Sequence, residues 1–203
     1  MEQVSNLLFW ISNGLLVPVI VGLLFFFVES VLMLGGFVSL YLQRLRQDKR
    51  LYRSMDALSA SSLASFKERL ATESGSLFVR SARQLLDVTD EAVTNKLLSQ
   101  YEIAASAELG KYKVLVKFGP ILGLMGTLIP MGPALAGLST GDISSMAYNK
   151  QVAFATTVLG LFSGAVGFVL LQVKQRWFTT DLVYLDFLND LRKEQLSPKS
   201  ENV

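Results

Sequence analysis

The 203-residue sequence contains no cysteine and no histidine. Their absence excludes disulfides, thiol nucleophiles, imidazole-ligated metals and every hydrolase triad built on an imidazole. Any proton handled here must ride on carboxylates, hydroxyls, lysines or water. Charge is scarce too, at 18% of residues against 51% hydrophobic. A soluble domain this apolar lacks the polar surface to cover itself, so the excess calls for lipid or for an oligomer. The net charge of +2 is too small to suggest a nucleic-acid partner. The glycine-rich stretches lack the G-K-[ST] ending of a phosphate loop, and no pair of carboxylates lies within an apolar stretch. Both gaps argue against an enzyme.

Charged side chains vanish in three windows. Between Glu2 and Arg44 the one charged residue is Glu29; from Phe118 to Gly141 and from Gln151 to Val173 there is none. Roughly 20 apolar residues cross about 30 Å of hydrocarbon, so the windows predict three transmembrane helices in an all-α membrane protein. The first window is longer than one span needs. It divides into an interfacial N-terminal helix over 1–14 and a first span over 15–43, with Ser12, Asn13, Gly14 and Pro18 as punctuation. A cleaved signal peptide fits less well, because Glu2 stands where a basic start is expected. The second span is read as 118–138 and the third as 152–173, joined by a short external loop over 139–151.

Basic residues orient the spans. Arg44, Arg46, Lys49, Arg50 and Arg53 follow the first; Lys111, Lys113 and Lys117 precede the second; Lys174 and Arg176 follow the third. The N-terminal segment has no Lys or Arg and the loop has only Lys150. By the positive-inside rule the N-terminus and loop are outside, and regions 44–117 and 174–203 are cytoplasmic. The five prolines are Pro18, Pro120, Pro130, Pro133 and Pro198, so 44–117 has none, and its composition favours helices. Breaks are expected at Ser59–Ser62, Thr72–Ser76 and Val88–Asp90, with the helix from about Glu91 running on into the second span. Phe178, Leu182, Leu185 and Leu188 form an apolar stripe on a C-terminal helix, and the tail from Ser197 is expected to fray.

The spans are unusually rich in small residues. Gly119, Gly123, Gly126, Pro130, Pro133 and Gly137 step by four and three, so they share one helical stripe. On the third span Thr157, Gly160, Gly164 and Gly167 form a small face, with Thr156 and Ser163 adjoining. Such stripes let helices approach closely in lipid. Pro130 and Pro133 are expected to bend or loosen the outer half of the second span. Thr127, Thr156 and Thr157 either bond back to their own helices or line a wet path. Hydroxyls alone do not store a proton, so such a path needs a carboxylate from elsewhere. Glu29 is the one internal candidate; it is either a functional intramembrane carboxylate or an interfacial residue, depending on where the first span begins.

The string P-I-L-G-L-M-G-T over Pro120–Thr127, followed by A-F-A-T-T-V-L-G-L over Ala153–Leu161, resembles the MotA/TolQ/ExbB family of proton-channel subunits. Three spans are closer to the TolQ and ExbB type than to the four-span flagellar stators. The resemblance implies a homo-pentamer in a prokaryotic inner membrane, whose second and third spans line a central pore. It also implies a dimer of a single-span ExbD-, TolR- or MotB-type partner inside that pore, each copy carrying an aspartate. Ion flow through that aspartate drives mechanical work on envelope or uptake machinery. On this reading Thr127 and Thr157 face the partner's aspartate, no cofactor is bound, and the transported ion is a proton, with sodium the alternative that Thr156 leaves open. Val152 departs from the pattern, since the family commonly has a glutamate there. Two competing readings are a non-conducting scaffold held together by its glycine faces, and an intramembrane enzyme built on Glu29, which lacks a second acid.

Overall fold

The computed structural model describes residues 2–56, 58–59, 62–72 and 76–196. These form five helices: α1 (Glu2–Asp56), α2 (Leu63–Thr72), α3 (Leu77–Asp87), α4 (Glu91–Ser139) and α5 (Ile143–Leu196). Among the described residues there is no strand. α1, α4 and α5 are each long and apolar enough to cross a membrane. The helices divide into two compact units, one from 2–39 and 110–172, the other from 40–109 and 173–196.

α1 differs from expectation. It is one uninterrupted helix that passes through Ser12–Gly14 and Pro18. Proline removes one backbone donor, but a full break would strand several backbone groups with no water to satisfy them, each at a cost of several kcal/mol. Continuity therefore wins in an apolar setting. The same argument covers α4, helical through Pro120, Pro130 and Pro133. α4 does run unbroken from Glu91, and α5 carries the third span straight into the C-terminal helix.

The loop expected over 139–151 is far shorter, because α5 starts at Ile143. Gly141 closes α4 with φ of 75°, while its N–H bonds the Leu138 carbonyl and the Asp142 N–H reaches the Gly137 carbonyl at 2.8 Å. That left-handed position and crossed bond pair make a Schellman ending. Asp142 then caps α5 by accepting from the Ser145 N–H at 3.0 Å.

In the second unit, Met55, Phe66, Leu70, Phe78, Leu85, Tyr101, Phe178, Leu185 and Leu188 are buried. Ser76 caps α3 by accepting from the Val79 N–H, and Asp90 caps α4 through the Ala92 N–H, so two of the expected breaks are capped starts. Residues 73–75 and the tail from Ser197 lie outside the described residues. Two arginines satisfy helix ends: Arg83 donates to the Leu70 carbonyl at 2.7 Å, and buried Arg192 donates to the carbonyls of Leu85 and Val88. Asp181, only 2% exposed, accepts from Arg44 at 2.5 Å and from the Tyr101 hydroxyl at 3.0 Å. The Arg44 guanidinium also lies 4.7 Å from the centre of the Trp177 ring, which stacks on Tyr41. Asp181 and Arg192 fall outside the apolar stripe of Phe178, Leu182, Leu185 and Leu188 read from the sequence. Their spacing holds the missed signal: 178, 181, 185, 188 and 192 step by three and four, so both sit on the buried stripe.

Candidate functional site

The first unit is organised around an antiparallel seam between α4 and α5. A methyl carbon on Gly160 would lie 2.6 Å from the Gly119 carbonyl oxygen and 2.7 Å from Gly123 Cα, so backbone meets backbone. Gly164 is held against the Pro120 ring and Gly167 against Leu115 and Val116. At the other end Gly126 faces the Thr156 side chain, whose Cβ would be 2.6 Å from an added methyl. The seam therefore brings together Gly119, Gly123 and Gly126 with Thr156, Gly160, Gly164 and Gly167. Pro130 is buried and Pro133 half-buried on α4. Gly137 belongs to the turn, beside the Asp142 carbonyl.

The seam separates the threonines. Thr156 is 4% exposed, and its hydroxyl donates to the carbonyls of Val152 and Ala153. Thr127 and Thr157 are only half-buried, donating to the carbonyls of Leu124 and Ala153. Each follows a seam residue by one position, which is about 100° around the helix. Antiparallel helices turn in opposite senses when viewed from one end, so the two steps lead to the same side of the seam. Gly126 and Thr156 face each other, so Thr127 and Thr157 also share a level. With their protons committed to the backbone, both hydroxyl oxygens present lone pairs outward, as acceptors for water or a cation.

α1 occupies the opposite side. Its Phe26 stacks on Phe118 at 6.4 Å, its Phe27 meets Phe162 at 5.5 Å, and Gly22 abuts Leu122. Around α4, Thr127 is about 140° from Leu122 and about 180° from Phe118; around α5, Thr157 is about 140° from Phe162. The threonine face is thus the one α1 leaves open.

These contacts also fix helix levels. Continuing the Gly22–Leu122 and Phe26–Phe118 pairs puts Glu29 level with Leu115, between Lys113 and Lys117 along α4. Glu29 is half-buried, on α1 and away from the seam, and pairs with no other described residue. In the other direction the pairs put Trp10 (77% exposed) level with Tyr148 (68% exposed). From Trp10 to Glu29 the rise is about 28 Å, close to one hydrocarbon thickness.

No curated protein and no solved structure matches the chain. A family model described as the MotA/TolQ/ExbB proton channel family matches residues 63–183, more than half of the sequence and the whole of the seam. A multi-pass helical protein with this match belongs to the MotA/TolQ/ExbB proton channel family.

Proposed function

We propose that the chain is the ring-forming subunit of a proton-driven motor in a prokaryotic inner membrane. Its N-terminus is outside and its lysine-rich ends are cytoplasmic. Five copies surround a dimer of a single-span partner of ExbD, TolR or MotB type, and Thr127 and Thr157 face the partner's aspartate. The observation that carries this reading is the shared side and level of the two hydroxyls, opposite α1. Lateral faces support a ring: Leu128 on α4 and Val158 on α5, each 65% exposed, point away from the seam in opposite directions. Two different apolar faces on opposite edges permit head-to-tail assembly, which forms a ring where the rotation between copies closes.

In this arrangement the partner carboxylate accepts a proton from outside and releases it inside. The threonine oxygens solvate the ion in transit, and the seam glycines hold both helices rigidly beside the path. Thr156 acts as a packing residue. Glu29 lies near the cytoplasmic edge of the hydrocarbon, beyond the route. Thr157→Val tests the reading, since it keeps shape and removes the oxygen. The expected result is loss of proton flux by the chain co-purified with its partner in liposomes, with assembly unchanged; undiminished flux would refute it. The back-bonding of all three threonine hydroxyls favours a second reading, a scaffold that conducts nothing, for which Thr157→Val is silent.

A further inference from the structure

Lys150 carries a charge where its surroundings carry none. Because α5 begins at Ile143, Lys150 sits about two turns inside a helix rather than in a loop. The Gly126–Thr156 pairing puts it level with Gly132 of α4. α4 has no charged side chain from Phe118 to Gly141, and α1 has none between Glu2 and Glu29. Exposed Phe9, Trp10 and Met131 surround that level instead. The nearest acid at this end, Asp142, is engaged as the cap of α5. Lys117 and Glu29 lie toward the other end, and Lys150 itself is exposed and makes no ion pair among the described residues. The ammonium, on its own side of α5 and about 3 Å inside the Tyr148 level, reaches water at the outer interface.

That side is the threonine side. Lys150 precedes Thr157 by seven residues, which puts it about 20° from Thr157 around the helix and about 10 Å away along it. A cation approaching Thr157 along this face from the α5 N-terminus passes Lys150 first.

We propose that Lys150 sets the apparent affinity of the ion route from its outer side. Its ammonium lowers cation activity at the outer mouth. It also favours the ionised form of the carboxylate that receives the proton, so that group fills only at higher proton concentration. This rests on the channel reading above. A charge about 10 Å away at an effective dielectric between that of a protein surface and water shifts a proton equilibrium by about half to one pH unit. At that distance the effect is screened by salt, because the Debye length is about 10 Å at 0.1 M.

The test is proton uptake into liposomes containing the chain with its co-purified partner, recorded against external pH. Lys150→Gln should move the midpoint up by about half to one pH unit, Lys150→Glu further, and Lys150→Arg not at all. Raising the salt should move the wild-type midpoint up and leave Lys150→Gln nearly still; that measurement holds even where a variant assembles badly. Identical midpoints for wild type and Lys150→Gln, or a wild-type midpoint indifferent to salt, would overturn the proposal. Thr157→Val separates the two levels: if it abolishes uptake while Lys150→Gln changes nothing, this inference alone falls. If Thr157→Val conducts normally, the channel reading falls and takes this one with it.

Discussion

Replacing Gly160 by alanine probes the seam where it is tightest. The added carbon would meet the Gly119 carbonyl oxygen at 2.6 Å, Gly123 Cα at 2.7 Å and Gly123 N at 3.0 Å. Carbon contacts relax at about 3.5–4.0 Å, so the helices must part by about 1 Å. All three opposing atoms are backbone, and no side chain can swing aside. Overpacking of this kind costs about 1–3 kcal/mol, against which alanine regains up to about 1 kcal/mol of helix propensity. The net loss is about 1–2 kcal/mol. Gly22→Ala is the matched control, because its new methyl meets only the tip of Leu122 at 3.4 Å. Gly126→Ala adds a sharper discrimination, since its obstacle is the Thr156 side chain. Thr156→Ala keeps the offending Cβ at 2.6 Å and should not rescue it, whereas Thr156→Gly should. Thermal unfolding of the purified protein in detergent reads all five variants: the three glycine replacements and Gly126→Ala combined with Thr156→Ala or Thr156→Gly. Gly160→Ala as stable as Gly22→Ala, or Thr156→Ala rescuing Gly126→Ala, would refute the close approach.

The second unit offers further tests. Asp181→Asn removes the charge from a side chain that is 2% exposed while Arg44 stays 22% exposed, so it should cost about 1–3 kcal/mol in unfolding experiments, whereas Asp87→Asn, at the exposed Lys67–Asp87 pair, should cost less than about 1 kcal/mol. Two surface acids should respond to pH with opposite signs. Hydrogen bonding and attraction to Lys193 hold the Glu91 carboxyl below its ordinary 4.5, so its contribution is present above that value and fades as pH falls through the lowered one. Glu91→Gln should therefore destabilise at neutral pH and match wild type in acid. Burial, then Asp190 and Glu102, push Asp186 above 3.8, so the fold loses stability as pH rises through that range. Asp186→Asn should stabilise at neutral pH, with no gain below 3.8.

Some of this architecture is legible in the sequence because helical periodicity survives in it. Steps of four and three in Gly119, Gly123 and Gly126 specify a close-packing stripe before any partner helix is known. What the sequence withholds is the partner's register. Thr156 and Thr157 are neighbours of identical chemistry, and only the opposition of Gly126 decides which one is buried. Prolines and polar residues near Pro18 look like a break when read locally, yet the cost of stranded backbone groups outweighs them. Glu29 has no intrinsic level; α1 acquires one through the contacts of Gly22 with Leu122 and Phe26 with Phe118. Asp181 and Arg192 are polar residues at apolar spacing, a pattern that marks a buried charge network as readily as a solvated edge.

Because the chain has no cysteine, single cysteines at chosen positions label without background. The most direct test compares Thr127→Cys and Thr157→Cys with Leu128→Cys and Val158→Cys, using a charged, membrane-impermeant thiol reagent on membranes prepared without the partner. If the two threonines flank a watered axis, positions 127 and 157 react rapidly, positions 128 and 158 stay inert, and adding the partner protects the first pair. Equal inertness at all four positions would mean that the open face meets lipid, and that no ion passes along it.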